Sequence, residues 1–243
     1  MKRKYDAVIF DLFGTLIDNL TDVPFHACLR DMANALGADA EQFIAIWTDP
    51  TMIHTRMSGT PSTFNEYLAL VSERCAVEFA PAQVSEARRI RTAYTRHCLA
   101  PREGTIAVLR GLQEQGYKIG LIANCTWEVP ELWSETEFAP LFEKPVFSCA
   151  AGMAKPDSRI YHLACANLAV APERSVFIGD GSNHELHGAR QVGMDAVLIC
   201  APHERDIVMQ RPEPREWTGP VISRAEEVLA YLAESCAAEG ASR

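Results

Sequence analysis

Residues 5–15 read YDAVIFDLFGT, a short and nearly continuous apolar run that ends at an acid. The β-branched and aromatic residues of this run predict a strand that is buried on both faces, as strands of parallel sheets are. Asp11 follows the run directly, so a carboxylate lies at the carboxyl end of the strand. Ligands of open α/β sheets bind just outside the carboxyl ends of the strands. Asp11 is therefore the first candidate for a functional side chain.

The residues after this strand change character. Residues 18–98 contain no strand-like run and instead show apolar residues at helical spacing, with Gly and Pro at the interruptions. Residues 51–61, TMIHTRMSGTP, are predicted to form a loop between two of these helices. We predict that residues 18–98 form an all-helical domain, inserted into a core domain of residues 1–17 and 99–243.

Short apolar runs alternate with amphipathic helices from Pro101 onward. Repeated strand and helix units imply a parallel sheet with helices on both faces, so the core is predicted to belong to the α/β class. Residues 202–220 contain four prolines and are predicted to be an irregular loop. The predicted strands are 117–123, 145–149, 175–178 and 195–200, and the predicted helices are 105–115, 128–136, 157–168, 183–191 and 223–234.

The composition of the chain excludes several classes of protein. Its 243 residues are 48% hydrophobic and 23% charged, which supports a globular core and excludes a disordered chain. The formal net charge of -9 argues against nucleic acids and anionic membranes as partners, because both attract clustered positive charge. No apolar run resembles a signal peptide or approaches the roughly 18 residues of a membrane span. The eight cysteines are scattered, so we expect free thiols in a reducing cytoplasm.

Four strand ends carry polar side chains that could share one site. Besides Asp11, these are Asn124, Lys155 in the loop after the third strand, and Asp180 with Glu185 five residues later. Each of them alone also fits a turn or a helix cap. Three carboxylates at one sheet edge would repel one another unless a cation binds, and such oxygen ligands suit Mg²⁺. Lys155 adds a positive charge that suits an incoming anion.

These residues fall into four motifs in a fixed order along the chain. With these motifs on these elements, the chain resembles the haloacid dehalogenase-like hydrolase superfamily over essentially its whole length. The helical insertion is similar to the cap of the subclass with an α-helical cap. The resemblance implies a Rossmann-like three-layer core with a mostly parallel sheet, plus the inserted cap. The motifs are Asp11-Leu-Phe-Gly-Thr15, Leu121-Ile-Ala-Asn124, Lys155-Pro156, and Gly179-Asp180 with Glu185.

The resemblance also implies a chemical mechanism. Asp11 is the expected nucleophile, which attacks phosphorus to form an aspartyl-phosphate that water then hydrolyses. Mg²⁺ is expected on Asp11, the Phe13 main-chain carbonyl and Asp180, with Glu185 bound directly or through water. Lys155 is expected to neutralise the nucleophile and the phosphoryl group.

The substrate expected from the resemblance is a small phosphorylated metabolite. Asn124 and Lys155 are the candidates for contacts with it in the core, and both are also counted as catalytic. Arg56, in the predicted loop of the cap, is the candidate from the insertion, because a cap can close over a site and select substrates. The protein is expected to be a monomer or a homodimer.

Two positions depart from the pattern of the superfamily. Phe13 stands where most of its phosphatases have an aspartate that protonates the leaving alcohol, and Ala123 stands where a Ser or Thr usually binds a phosphoryl oxygen. These departures leave two alternatives open. One is a metal-independent 2-haloacid dehalogenase, since those enzymes also have an aromatic residue at the position of Phe13. The other is a catalytically quiet binding protein built on the same fold.

Overall fold

The computed structural model describes residues 3–20 and 22–241, with the side chains of all of these except residues 22, 23 and 237–241. Its centre is a six-stranded sheet in the order β3-β2-β1-β4-β5-β6, and all neighbouring strands are parallel. The predicted α/β class and parallel sheet are confirmed. The strands are β1 (Ala7–Phe10), β2 (Lys118–Ala123), β3 (Val146–Phe147), β4 (Ser175–Gly179), β5 (Asp195–Ile199) and β6 (Val221–Ile222).

Helices follow the strands and also form the insertion between β1 and β2. The helices of the insertion are α1 (Asp22–Leu36), α2 (Ala40–Trp47), α3 (Pro50–Met57), α4 (Phe64–Cys75) and α5 (Pro81–Cys98). Those of the remaining chain are α6 (Thr105–Glu114), α7 (Glu128–Leu132), α8 (Ser148–Ala151), α9 (Ser158–Leu168), α10 (Glu185–Gln191), α11 (Arg205–Val208), α12 (Pro212–Glu216) and α13 (Glu227–Ala241). Short 3₁₀ turns lie at Trp133–Glu135, Pro172–Arg174, Ser182–His184 and Pro202–Glu204.

The core has three layers, because helices cover both faces of the sheet and bury β1 between them. Phe10 of β1 is in register with Leu121 of β2 and Ile178 of β4, which places β1 in the middle of the sheet. Successive side chains of a strand point to opposite faces. Val8 and Phe10 accordingly join one apolar core with α6 and α13, whereas Ile9 joins a second core with α9 and α10.

The insertion has an apolar core of its own, in which Trp47 and Tyr67 are buried side by side. The prediction of a loop at 51–61 is wrong for its first part, because α3 occupies Pro50–Met57. Asp49 caps this helix by accepting hydrogen bonds from the backbone N–H groups of Thr51 and Met52, at 3.0 and 3.1 Å. Proline in the first turn also favours a helix, since a first-turn N–H has no partner within the helix.

Three other predicted elements differ from the structure. The predicted strand 145–149 is only β3, because Ser148 begins α8 and its hydroxyl accepts a hydrogen bond from the backbone of Cys125 at 3.0 Å. The predicted loop 202–220 contains a 3₁₀ turn, α11 and α12, two of them with proline in the first turn. Beyond it lie β6 and then α13, which begins at Glu227 rather than at 223.

Two further expectations concern the whole chain. No helix among residues 3–20 and 22–241 combines the length and the apolar character that crossing a membrane requires. All eight cysteines are free thiols, as expected. The division of the chain at 18–98 stays a prediction, and Thr21, within the predicted insertion, lies outside the described residues.

Candidate active site

The parallel sheet brings the predicted site residues to one edge. Asp11 follows β1, Asn124 follows β2 and Asp180 follows β4, and these three strands are neighbours. Lys155 reaches the same edge from the loop between α8 and α9. The carboxyl ends of parallel strands meet at one edge of a sheet, so residues far apart in sequence converge there.

Three carboxylates form a tight cluster at this edge. Asp11, Asp180 and Glu185 each offer an oxygen, and these oxygens lie within 4.8 Å of one another. The side chains are buried, with residue exposures of 3%, 0% and 0%. Lys155 is buried as well and donates hydrogen bonds to Asp11 Oδ1 and, at 2.5 Å, to Glu185 Oε2. One lysine thus binds the expected nucleophile and one of the expected metal ligands at the same time.

Burial and charge shift the pKa values of this cluster. Burial raises the pKa of Asp11 above its ordinary value, and the nearby charge of Lys155 offsets only part of that rise. Burial, together with repulsion from Asp11, raises the pKa of Glu185 well above its usual range. Burial would lower the pKa of Lys155, but its attraction to Asp11 and Glu185 raises the pKa above the ordinary value. Lys155 therefore stays protonated, and its single positive charge does not balance the three carboxylates.

The backbone leaves space for these carboxylates only because glycines stand beside them. Gly14 has φ of 78°, and a Cβ at this position would overlap with Asp180 Oδ2 and Asn19 Nδ2. A Cβ on Gly179 would overlap with Oε1 of Glu185. The clustered carboxylates of Asp11, Asp180 and Glu185 offer oxygen ligands, which suit a hard cation such as Mg²⁺. The three clustered carboxylates fit this ion, and the Phe13 carbonyl stays a predicted ligand.

Asn124 and Thr15 hold other parts of the site in place. The Asn124 side chain accepts a hydrogen bond from the Lys155 backbone N–H at 2.9 Å and donates one to the Lys155 carbonyl at 3.1 Å. Asn124 thereby fixes the loop that carries the lysine, and its predicted contact with substrate stays a prediction. Thr15 donates a hydrogen bond to Asp11 Oδ2 at 3.2 Å. Thr15 belongs to the first motif, but no role for it was predicted from the sequence.

A cavity of about 250 Å³ opens beside Asp11. Phe13 and Asn124 line it from the core, and Arg56 lines it from α3 of the insertion. Arg56 is buried, and its Nη1 donates hydrogen bonds to the Trp47 carbonyl at 2.6 Å and to the Tyr67 hydroxyl at 2.8 Å. The residue is therefore part of a packed helix rather than a loop, although it faces the same cavity as the nucleophile.

A second group of polar residues, which was not predicted from the sequence, surrounds Asp180. Arg211 donates hydrogen bonds to Asp180 Oδ2 and, at 3.1 Å, to Asn19 Oδ1. Asn19 in turn donates to Asp180 Oδ2 at 3.1 Å and to Glu204 Oε2 at 2.9 Å. Arg102 pairs with Glu204. No short motif signals these contacts, since 31 residues separate Arg211 from Asp180 and 185 separate Asn19 from Glu204.

A family model described as haloacid dehalogenase-like hydrolase matches residues 5–193. Haloacid dehalogenase-like hydrolase domain-containing protein 3 of Bos taurus is 33% identical over 135 residues, which make up 56% of this chain and 54% of that protein. The chain thus spans about half the length of this curated relative. Glyceraldehyde 3-phosphate phosphatase of Methanopyrus kandleri is 31% identical over 216 residues, or 86% of this chain and 88% of that protein.

Other relatives, at 23% identity, are named (S)-2-haloacid dehalogenase. Among solved structures, a HAD family enzyme of Bacteroides thetaiotaomicron in complex with magnesium is similar in fold. Its TM-score is 0.63 at 19% identity, and the match covers 81% of this chain and 93% of that chain. The family model covers most of the chain, and the four motifs lie together at one edge of the sheet. The chain therefore belongs to the haloacid dehalogenase-like hydrolase family.

Proposed function

We propose that the protein is a Mg²⁺-dependent phosphatase of small phosphorylated metabolites, with Asp11 as its nucleophile. The observation that carries this proposal is the contact of Lys155 with both Asp11 and Glu185 inside a buried acidic cluster. A lysine and three acids suit a site that receives a cation and a phosphoryl anion together. The phosphatase name of the relative from Methanopyrus kandleri supports a phosphate ester as substrate.

In the proposed reaction, a carboxylate oxygen of Asp11 attacks phosphorus while the bond from phosphorus to the ester oxygen breaks. Water then attacks the aspartyl-phosphate, which releases inorganic phosphate and restores the carboxylate. Lys155 holds Asp11 and would stabilise charge on the phosphoryl oxygens, and Thr15 orients the other oxygen of Asp11. Mg²⁺, held by Asp11, Phe13, Asp180 and Glu185, supplies charge neutralisation when bound.

Phe13 restricts the esters that this site can hydrolyse quickly. Its ring lines the cavity and cannot give a proton to the leaving alcohol. Among the described residues that line the cavity, Asp11 is the only carboxylic acid, so no second acid there replaces the missing one. A lost general acid costs about 10²–10⁴ in rate. We therefore propose that esters with good leaving groups are turned over far faster than alkyl phosphates.

A 2-haloacid dehalogenase is the second candidate, and Phe13 is the observation that favours it. In that reaction Asp11 would displace halide from carbon, and water would hydrolyse the resulting ester without a metal. The acidic cluster argues against it, because Asp180 and Glu185 beside a nucleophilic carboxylate are costly unless a cation binds.

Two assays on the full chain separate these candidates. We expect hydrolysis of 4-nitrophenyl phosphate with Mg²⁺, its loss with chelator, and its loss in Asp11→Asn but not in the matched exposed variant Asp31→Asn. Turnover that persists in Asp11→Asn would contradict the assignment of the nucleophile. Halide release from 2-chloropropionate that survives chelation would favour the dehalogenase, and absence of both activities would favour a quiet binding protein.

A further inference from the structure

Two buried arginines, Arg56 and Arg91, line this cavity, and Arg91 is paired with Glu128, which lies outside the lining. Arg91 of α5 donates from Nε to Glu128 Oε1 of α7 at 2.7 Å, and both side chains are buried. Arg56 is only 5% exposed. Among the described residues, no carboxylate forms an ion pair with Arg56. These three side chains thus leave one positive charge without a counter-ion.

Several polar atoms of this group have no partner. Nη1 of Arg91 and Oε2 of Glu128 are enclosed and form no hydrogen bond with any described residue. The hydrogen bonds of Arg56 come from Nη1 alone, so its Nε and Nη2 donate to no described residue. The rings of Trp47 and Tyr67 lie 5.2 and 5.5 Å from the Arg56 guanidinium and stabilise its charge in part. A buried guanidinium with free donors suits an anion.

The rest of the cavity limits the shape of a ligand. Phe25, Ile53, Met57 and Val129 make much of its lining apolar, and Asp11 belongs to the same lining. The volume of about 250 Å³ is below the roughly 300–1,000 Å³ of typical pockets for drug-sized ligands. A fitting ligand is therefore small, with an apolar body and charged groups at separate ends.

We propose that this cavity selects phosphate monoesters that carry a carboxylate at the end remote from the phosphoryl group. Arg56 binds that carboxylate through its free donors, while Arg91 stays paired with Glu128. This inference rests on the proposed phosphatase function. The single uncompensated charge of the cluster matches one carboxylate, and the planar guanidinium matches its two oxygens.

The test compares two substrates of the same shape, 4-carboxyphenyl phosphate and the neutral 4-carbamoylphenyl phosphate. In the full chain with Mg²⁺, we expect kcat/KM to be at least about tenfold higher for the carboxylate, mainly through KM. Arg56→Met should remove this preference and Arg56→Lys should retain part of it. The matched control Arg96→Met, an exposed arginine on α5, should leave it unchanged.

A second measurement does not depend on any variant of Arg56. In Asp11→Asn, calorimetry should detect tighter binding of 4-hydroxybenzoate than of 4-hydroxybenzamide. If aryl phosphates are hydrolysed without preference for the carboxylate, this inference is wrong while the phosphatase function stands. If no aryl phosphate is hydrolysed at all, the proposed function itself fails.

Discussion

Arg211 donates a hydrogen bond to Oδ2 of Asp180, the acid that directly follows β4. Asn19 donates to the same oxygen at 3.1 Å, and the other carboxylate oxygen accepts from the Ser182 backbone at 3.0 Å. Both oxygens of this expected metal ligand therefore have protein partners. Arg211 lies beyond residues 5–193, the part of the chain that the family model matches. A cation that binds Asp180 through Oδ2 must compete with this guanidinium.

The first prediction concerns that competition. Arg211→Gln should tighten Mg²⁺ binding about tenfold, because a charge-assisted hydrogen bond to Asp180 is lost and the site becomes more negative. Isothermal titration calorimetry with Mg²⁺ measures this change directly. Arg215→Gln, an exposed arginine on α12, the helix that begins directly after Arg211, is the matched control and should not alter the affinity. Mg²⁺ binding by Arg211→Gln that is equal to or weaker than that of the wild type would show that Mg²⁺ and the Arg211 guanidinium do not compete.

The second prediction concerns Gly14, whose position next to Asp180 leaves no room for a side chain. Gly14→Ala should abolish detectable Mg²⁺ binding, because the new methyl group overlaps with the carboxylate. Gly37→Ala is the matched control, since Gly37 also has positive φ, at 71°, but its nearest neighbour is Gln83 at 3.3 Å. Both variants should lose about 1–2 kcal/mol of stability from the left-handed backbone. Thermal unfolding measures the loss of stability, and titration measures the loss of Mg²⁺ binding. Wild-type Mg²⁺ affinity in Gly14→Ala would show that the metal site does not need the space beside Gly14.

The third prediction concerns the buried pair of Arg91 and Glu128, which joins the insertion to the core. Glu128→Gln should lower the free energy of unfolding by about 3 kcal/mol at pH 7, because it leaves a buried guanidinium unpaired. The double variant Arg91→Met, Glu128→Met should recover most of the loss, since both charges are removed together. Urea unfolding measures each variant. A loss below about 1 kcal/mol for Glu128→Gln would mean that water or a neighbour already satisfies Arg91.

The same pair predicts a pH dependence. Burial would raise the pKa of Glu128, but Arg91 lowers it below its ordinary value overall. A lowered pKa in the folded state stabilises the fold at pH values above the unfolded pKa of about 4.3, and this stabilisation is lost as the pH falls through the folded value. The stability gap between wild type and Glu128→Gln should be constant from pH 6 to 8 and should shrink below about pH 4. A stability difference that widens on acidification would show that the pKa of Glu128 is raised in the folded state, not lowered.

The fifth prediction concerns the missing general acid. Phe13→Asp should raise kcat/KM for an alkyl phosphate by at least about tenfold, and the gain for 4-nitrophenyl phosphate should be smaller, because only a poor leaving group needs the proton. Phe13→Leu keeps the position apolar and is the control for lost ring volume. The ratio of the two substrates in each variant is the measurement. An equal change for both substrates would exclude proton transfer from this position.

Sequence patterns predicted the core elements well where the apolar run is continuous, as in β1, and where a helix has clear ends, as in α9, which was predicted at 157–168 and lies at Ser158–Leu168. They failed where a hydrogen bond from a side chain starts a helix or ends a strand. Asp49 caps α3 inside a predicted loop, and Ser148 bonds to Cys125 at the end of β3, which ends that strand early. Both hydrogen bonds join groups that are close in space. A pattern of apolar residues does not predict them, because their strength depends on the surrounding residues of the folded chain.

The sequence alone determined that five polar residues stand after successive strands: Asp11, Asn124, Lys155, Asp180 and Glu185. It could do so because apolar periodicity, and Gly or Pro at the ends of elements, are local properties of the chain. A parallel sheet then requires the strand ends to meet. Only the tertiary structure decided which distant side chains complete the site. The contact between Arg91 and Glu128 spans 37 positions and that between Arg211 and Asp180 spans 31, and each exists because separate elements pack together and exclude water.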